Sequence, residues 1–192
     1  MRLIDRWVGI PLCFFASFWP LKKAQADSNS TLATNIPPPD TIVFIGIAEI
    51  GALVVAYPAI KETRKQHPKS RICFITAPAG LQTLELMGFE KEDIFLLETS
   101  SIKSLLKGIV NIRSHFKGRR VSAIVLEPFT RFSTLLSAWI GASKRIGCYR
   151  FLNEGVFLGN ILTHRLVYNP HLHISQTYFA LAKALIEPDS AK

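Results

Sequence analysis

Residues 41–60, TIVFIGIAEIGALVVAYPAI, decide the fold of this 192-residue chain. Ile42–Ile45 is a short run of β-branched and aromatic residues that ends at Gly46, which is typical of a fully buried strand. After Gly51, small or apolar residues recur at helical spacing, at Ala52, Val55, Ala56, Ala59 and Ile60. The segment predicts a buried strand, a tight turn and a helix, and we expect Pro58 to kink that helix.

The same alternation of strand and helix continues along the chain. Further strands are predicted at Arg71–Thr76, Ile94–Leu97 and Val121–Leu126, with weaker ones at Arg145–Cys148 and Leu166–Tyr168. Helices are predicted at Leu81–Met87, Ser101–Phe116, Phe132–Ile140 and His173–Ile186. This order indicates βαβ units, so we predict an α/β fold: a doubly wound, mostly parallel, Rossmann-like sheet.

Two of the predicted helices carry a clear apolar face. In the helix predicted at Phe132–Ile140, the apolar face comprises Phe132, Leu135, Leu136, Trp139 and Ile140. In the last helix the inward residues are expected to be Ile174, Tyr178, Leu181 and Leu185.

The loops that follow parallel strands gather at one edge of the sheet, where ligands of such folds bind. Here they are predicted to be Gly46–Gly51, Thr76–Gly80, Glu98–Ser101, Glu127–Arg131 and Gly147–Arg150. They supply glycines, hydroxyls, three acids and two arginines. This mixture predicts a polar ligand such as a phosphorylated compound or a sugar.

Composition excludes several classes of protein. The chain is 48% hydrophobic and 19% charged, too apolar for a disordered protein, and no apolar run reaches the ~20 residues of a spanning helix. The three cysteines are odd in number and far apart, which argues against a disulfide framework and fits a reducing compartment.

The chain is basic, with 23 Lys and Arg against 14 Asp and Glu and a formal charge of +9. Between Glu98 and Glu127 there is no acid, and the cations there are Lys103, Lys107, Arg113, Lys117, Arg119 and Arg120. Such a field favours anionic partners, although a solvated helix face explains it equally well. Nucleic acid is a weak option, because only Phe116 interleaves these cations and no known nucleic-acid signature is present.

We predict four parts: an apolar anchor segment at 1–23, a Pro-rich linker at 24–40, a Rossmann-like domain at 41–187 and a tail at 188–192. Cations flank the apolar run Trp7–Leu21, which is short for a span and contains Pro11 and Pro20, so it is interpreted as lying in a membrane interface. A cleaved signal peptide ending near Ala24–Ala26, or a helix packed on the protein, are the alternatives.

Individual motifs carry less information than their arrangement. The turn Gly46–Gly51 could receive an anion on its backbone N–H groups, or be no more than a tight turn. Glu127 could accept sugar hydroxyls and Arg131 could hold a phosphate, or the two could form a structural pair. The scattered histidines predict no metal site, and His173 is interpreted as lying near the start of the last helix.

Four segments in order resemble bacterial glycosyltransferase family 9, the lipopolysaccharide heptosyltransferase-like proteins. The likeness covers essentially the whole chain, and only the ordered set is specific. The segments are Ile4–Leu12, Val43–Gly51 running into Ala56–Ile60, Glu127–Ser133 with Gly141–Gly147, and Tyr168–Asn169 with His173.

The resemblance implies a GT-B fold, two Rossmann-like halves around a cleft, of which this chain looks like the N-terminal, acceptor-binding half. It implies transfer of a sugar from a nucleotide-sugar co-substrate, with no other cofactor, to a lipid-linked saccharide of lipopolysaccharide type. A separately encoded donor-binding half would then be needed. The implied location is cytoplasmic and peripheral to an anionic inner membrane. The expected acceptor-binding residues are Gly46, Gly51, Glu127, Arg131 and Ser133.

The chain departs from the family's pattern at the expected base. The family carries an aspartate directly after the glycine of the first loop, whereas this chain has Ala52 there, and Gly46 replaces a frequent lysine. Glu49 is the only acid in the loop and the candidate substitute, although it could equally face solvent or cap the helix. The alternative function is a non-catalytic, membrane-associated remnant or accessory module that binds a glycolipid.

Overall fold

A six-stranded, fully parallel sheet runs through the molecule. The computed structural model describes residues 11, 13–14, 38–47, 50–151 and 158–186, with the backbone alone for residue 151. The strands are β1 Thr41–Ile45, β2 Arg71–Thr76, β3 Ile94–Leu96, β4 Val121–Val125, β5 Lys144–Phe151 and β6 His164–Tyr168. Their order is β3-β2-β1-β4-β5-β6, and every neighbouring pair is parallel.

Within the described residues from 41 onward, five helices cover the two faces of the sheet. They are α1 Ile50–Gln66, α2 Leu81–Leu86, α3 Ile102–Phe116, α4 Arg131–Trp139 and α5 Ile174–Lys183. Short 3-10 turns at Pro78–Gly80 and Lys91–Asp93 precede α2 and β3. The predicted α/β fold, doubly wound and Rossmann-like, is therefore confirmed.

The core has two layers because the side chains of each strand alternate between the faces of the sheet. On β1, Ile42 and Phe44 pack with α1, α2 and α5, whereas Val43 and Ile45 pack with α3 and α4. Phe44 stacks on Phe74 of the neighbouring strand with 5.4 Å between ring centroids. Both faces of the central strands are buried, which explains their continuous apolar sequences.

The predicted loop at Gly147–Arg150 is wrong, because these residues belong to β5. That strand pairs with β6 as far as Phe151 opposite Tyr168, with a bulge between Cys148 and Arg150. Gly147 is explained by packing: a Cβ there would lie 3.2 Å from Cδ2 of Leu162. A glycine in a strand can mark close approach of another segment as well as a turn.

Helix α1 runs unbroken through Pro58, so the predicted kink does not interrupt it. Pro58 lies on the exposed face of the helix. Water can there satisfy the carbonyl of Val54 that loses its partner N–H.

The predicted buried position of Trp139 is also wrong, since its side chain is 53% exposed. The buried residues of α4 are Ser133, Thr134, Leu136 and Ser137. Thr134 Oγ1 donates to the carbonyl of Thr130 at 2.9 Å, and Ser137 Oγ donates to that of Thr134 at 2.6 Å. Because these hydroxyls are hydrogen-bonded within the helix, they can be buried. The side of α4 that carries them faces the core, and Trp139 faces solvent.

The predicted anchor, linker and tail lie almost wholly outside the described residues, which include only Pro11, Cys13 and Phe14 of the apolar run. Among the helices of the described residues, none is both long enough and apolar enough to cross a membrane.

Arg145 is a buried cation with a structural role in the segment Gly141–Gly147. Its Nε donates to the carbonyl of Ile161 and its Nη1 donates to that of Ala142, both at 2.6 Å. One guanidinium thus joins the end of the α4–β5 connection to the segment that leads into β6. Its role is to hold these two backbone segments together at the amino end of β5.

We expect Arg145→Ala to lower the free energy of unfolding by about 3 kcal/mol, because two buried carbonyls would lose a charged donor. Urea unfolding monitored by circular dichroism measures this. Arg150→Ala, an exposed change in the same strand, is the matched control and should stay within about 0.5 kcal/mol of the wild type. Equal effects of the two substitutions would contradict the structural role of Arg145.

Candidate functional site

The carboxyl ends of β1 and β4 meet at the centre of the sheet. The chain proceeds from β1 to β2 on one side and returns at β4 on the other, so the strand order reverses between these two strands. The N–H of Leu126 donates to the carbonyl of Ile45 at 2.9 Å, which keeps the two strand ends side by side. Ligands of open α/β sheets bind in the crevice outside such a reversal.

The strand directions confirm that most of the predicted loops share this edge. Gly51, Glu98 and Glu127 each follow a strand of the same parallel sheet, so their loops lie at its carboxyl edge. The segment Thr76–Gly80 does so as well, and only Gly147–Arg150 is removed from the predicted set.

Glu127 connects three elements at this edge. Its side chain is buried, Oε1 accepts the backbone N–H of Ile47 at 2.7 Å, and Oε2 accepts the hydroxyl of Ser133. The carboxylate therefore joins the end of β4 to the loop after β1 and to the first turn of α4. An ionised carboxylate has about four acceptor positions, so these two donors leave capacity for others.

Ser133 and Arg131 both lie in the first turn of α4. The Ser133 side chain is fully buried and its hydroxyl donates to Glu127. Its role is therefore to hold the Glu127 carboxylate in place, and its side chain does not contact solvent. Arg131 is half-buried at the first position of the helix. Whether Arg131 or Glu127 contacts an acceptor stays a prediction.

Phe129 is a feature that sequence analysis missed. It is the one non-glycine residue with a positive φ, 63°, in the described part of the chain. Its ring packs edge-to-face on Tyr168 at the end of β6, with 5.8 Å between centroids. Strained backbone of this kind costs ~1–3 kcal/mol and clusters at ligand sites. No sequence signal marks it, because phenylalanine is not a residue that favours this conformation.

The two glycines of the first loop differ in what they require. A Cβ at Gly46 would lie 3.0 Å from Cδ2 of Leu53, so this glycine allows α1 to pack closely against the strand end. A Cβ at Gly51 would meet nothing within 4 Å, so the space beside it is open. Glu49, the candidate base, lies outside the described residues, and its role stays a prediction.

Ala52 lines a groove between α1 and α5. The groove has a volume of about 450 Å³ and is lined by Ile50, Gly51, Ala52, Val55, Ile174 and Tyr178. The first residues of both helices are among these, so the positive ends of two helix dipoles lie beside it. His173 is the N-cap of α5, as expected from its position, and its Nδ1 accepts the N–H of Ser175 at 3.3 Å.

Other reactive groups lie away from this edge or are inert. Burial raises the pKa of the Cys73 and Cys148 thiols to about 12, so neither is a thiolate nucleophile near neutral pH. Burial lowers the pKa of His67 and of His115, which favours the neutral imidazole in both. Within the described ranges, no three His, Cys, Asp or Glu side chains are grouped to hold a metal ion.

Solved structures of glycosyltransferases share this architecture. The chain superimposes on the family 9 glycosyltransferase from Veillonella parvula with a TM-score of 0.60 at 18% identity, over 77% of this chain and 41% of that one. It superimposes on the E. coli heptosyltransferase WaaC with ADP at a TM-score of 0.55 and 9% identity, over 79% and 49% of the two chains. WaaC with ADP-2-deoxy-2-fluoro heptose gives 0.57 at 9% identity, over 79% and 50%.

The fold is that of a family 9, heptosyltransferase-like glycosyltransferase. The chain spans half or less of the length of these structures. No protein-family model matches the chain, and no curated protein matches it significantly. What the comparisons establish is therefore the heptosyltransferase-like fold.

We expect Glu127→Ala to lower the free energy of unfolding by about 2–3 kcal/mol, because a buried N–H and a buried hydroxyl would lose their acceptor. Glu127→Gln keeps one acceptor oxygen and should cost less. Chemical denaturation measures both, and Glu98→Ala, an exposed acid at the same sheet edge, should change stability by no more than about 0.5 kcal/mol. A neutral Glu127→Ala would show that the carboxylate does not hold this edge together.

Proposed function

We propose that the chain is the acceptor-binding half of a glycosyltransferase that acts on a lipid-linked saccharide of lipopolysaccharide type. The observation that carries this proposal is the superposition on heptosyltransferase-like structures, of which the chain spans half or less. The open space beside Gly51 at the strand reversal supports it, since this is where a ligand of such a sheet binds.

In this proposal the residues at the edge divide into a frame and a contact surface. Glu127 and Ser133 hold the loop after β1 at a fixed place, because both act through the hydrogen bond to Ile47. Arg131 supplies a cation at the start of α4, where the helix dipole also favours an anion. An acceptor carrying phosphate or carboxylate groups complements this end of the helix.

Transfer requires a nucleotide sugar and a base. The WaaC structures contain ADP and ADP-2-deoxy-2-fluoro heptose, so a nucleotide sugar is the donor class proposed here. A base must accept the proton of the acceptor hydroxyl, and the methyl group of Ala52 cannot do so. Glu49 is the acid that we propose for this step, at a location peripheral to the cytoplasmic face of the inner membrane.

A second function, glycolipid binding without catalysis, is favoured by the lining of the groove. Ala52 occupies the position at which the family is expected to have its aspartate, and Ile50, Val55 and Ile174 line the groove beside it. An apolar lining of this kind disfavours a charged base and would suit a module that has kept binding without transfer.

Acceptor binding can be tested with the full chain and a lipopolysaccharide inner-core glycolipid in detergent. We expect amide shifts to change at Ile47, Gly51 and Arg131, and Arg131→Ala to weaken binding about tenfold, equivalent to about 1.4 kcal/mol. Arg119→Ala removes the same charge from the exposed residues that precede β4, at the opposite edge, and should leave binding unchanged. An absence of binding would contradict both the transferase function and the non-catalytic glycolipid-binding function.

Sugar transfer separates the two functions. The full chain is incubated with a radiolabelled nucleotide sugar and the same glycolipid, alone and with any donor-binding half encoded nearby. Transfer that appears with the second half and disappears in Glu49→Gln would establish the transferase. Binding without transfer in either mixture would leave the non-catalytic module.

A further inference from the structure

Helix α3 carries an apolar stripe on its outer face. Ile102, Leu106 and Val110 are 72%, 57% and 58% exposed, and their spacing of four residues puts them on one side of the helix. They are not the residues that hold α3 on the sheet, because Ile112 and Phe116 are buried there and Leu105 and Ile109 pack against the same core. The helix thus has one apolar face toward the protein and a second toward solvent.

Trp139 at the end of α4 continues this stripe. The Arg113 guanidinium lies 5.7 Å from the centroid of the half-exposed Trp139 ring, and its Nη1 donates to the Trp139 carbonyl. Arg113 follows Val110 by three residues, so it lies beside the stripe on the helix surface. Ile102, Leu106, Val110, Arg113 and Trp139 together form what we call the α3–α4 patch.

The charged residues of α3 and α4 have a single sign. Lys103, Lys107 and Lys117 are exposed on or directly after α3. Neither α3 nor α4 contains an acid, and none occurs between Glu98 and Glu127. An apolar surface with a tryptophan at its margin and lysines around it has the composition of a segment that lies in a membrane interface.

We propose that the α3–α4 patch docks on the surface of an anionic lipid bilayer. The aliphatic stripe would enter the boundary between headgroups and acyl chains, Trp139 would lie at headgroup level, and the lysines would contact lipid phosphates. Nucleic acid complements the lysines and leaves the aliphatic stripe in water, so a bilayer matches more of the surface. The proposal extends the peripheral location given above and concerns lipid binding, which can fail or succeed independently of sugar transfer.

Docking here would bring the candidate site to the membrane. Helix α3 starts at Ile102 just after β3, and α4 starts at Arg131 just after β4, so both begin at the carboxyl edge of the sheet. A lipid-linked saccharide anchored beneath this patch could therefore extend across the edge toward Arg131.

Tryptophan fluorescence of the full chain tests the docking directly. The chain has three tryptophans, and Trp7→Phe with Trp19→Phe leaves Trp139 as the sole reporter. We expect phosphatidylcholine–phosphatidylglycerol vesicles to shift its emission to the blue and brominated lipids to quench it. Pure phosphatidylcholine should give a much smaller response, and high salt should weaken the anionic one. Protein that co-sediments with vesicles while Trp139 emission stays unchanged would overturn the proposal.

Matched variants separate the two contributions to binding. Each lysine near an anionic surface raises the partition coefficient about fivefold. Lys103→Glu with Lys107→Glu should therefore lower the partition coefficient by about 25-fold or more. Lys61→Glu with Lys65→Glu makes the same change of charge on α1, on the other face of the sheet. Leu106→Ser with Val110→Ser should also weaken binding, whereas Leu86→Ser, 90% exposed on α2, should not.

The other occupants of the patch give different results. A second copy of the chain would shield Trp139 without lipid and in proportion to protein concentration. A nucleic acid would change Trp139 emission at low salt when vesicles do not. Either result, or equal partitioning of the α3 variants and their controls, would overturn membrane docking through this patch.

Discussion

The buried carboxylate of Glu127 is the contact on which the geometry of the sheet edge depends. It accepts one hydrogen bond from Ile47, 80 residues earlier, and another from Ser133 in the first turn of α4, so one carboxylate joins the ends of β1 and β4 to the start of α4. A buried carboxylate is tolerated only when donors replace water. The same bonds that satisfy the carboxylate therefore hold Ile47, directly after β1, close to the first turn of α4.

Sequence predicted β1 to β4 well and β5 and β6 poorly, for a physical reason. Strands β1, β2 and β4 are buried on both faces and consist of nearly continuous apolar residues. Strands β5 and β6 begin with Lys144 and His164, which are buried with polar partners: the carbonyl of Leu185 at 2.9 Å for Lys144 and Thr163 Oγ1 at 2.9 Å for His164. The partner of Lys144 is 41 residues away in sequence and that of His164 is its neighbour, but in both strands a buried polar residue breaks the apolar run by which a strand is recognised. The sequence pattern therefore predicts both strands too short.

The candidate site divides along the same line. In a parallel sheet the loops that follow the strands lie at the same edge. The sequence therefore predicted correctly that most of the candidate loops share the carboxyl edge. The contact of Glu127 with Ile47 joins residues 80 apart, and the ring of Phe129, whose φ is positive, packs against Tyr168 at the end of β6. Neither contact can be read from neighbouring residues. Trp139 shows the opposite error: its helical spacing was right, but buried hydroxyls that bond within α4 replaced it in the core.

The two layers of helices place the proposed roles on opposite sides of one edge. The groove beside Ala52 belongs to α1 and α5, whereas the α3–α4 patch belongs to the other layer, with Arg131 at the edge on that side. On the proposed function, a saccharide held by its lipid beneath α3 would pass Arg131 and the Glu127 frame before reaching the groove. Binding along this path needs cations and a fixed loop, while transfer also needs a proton acceptor at its end. Because the methyl group of Ala52 cannot accept a proton, the proposed transfer depends on Glu49, whereas binding along the path does not. The two activities can therefore be separated at this one residue.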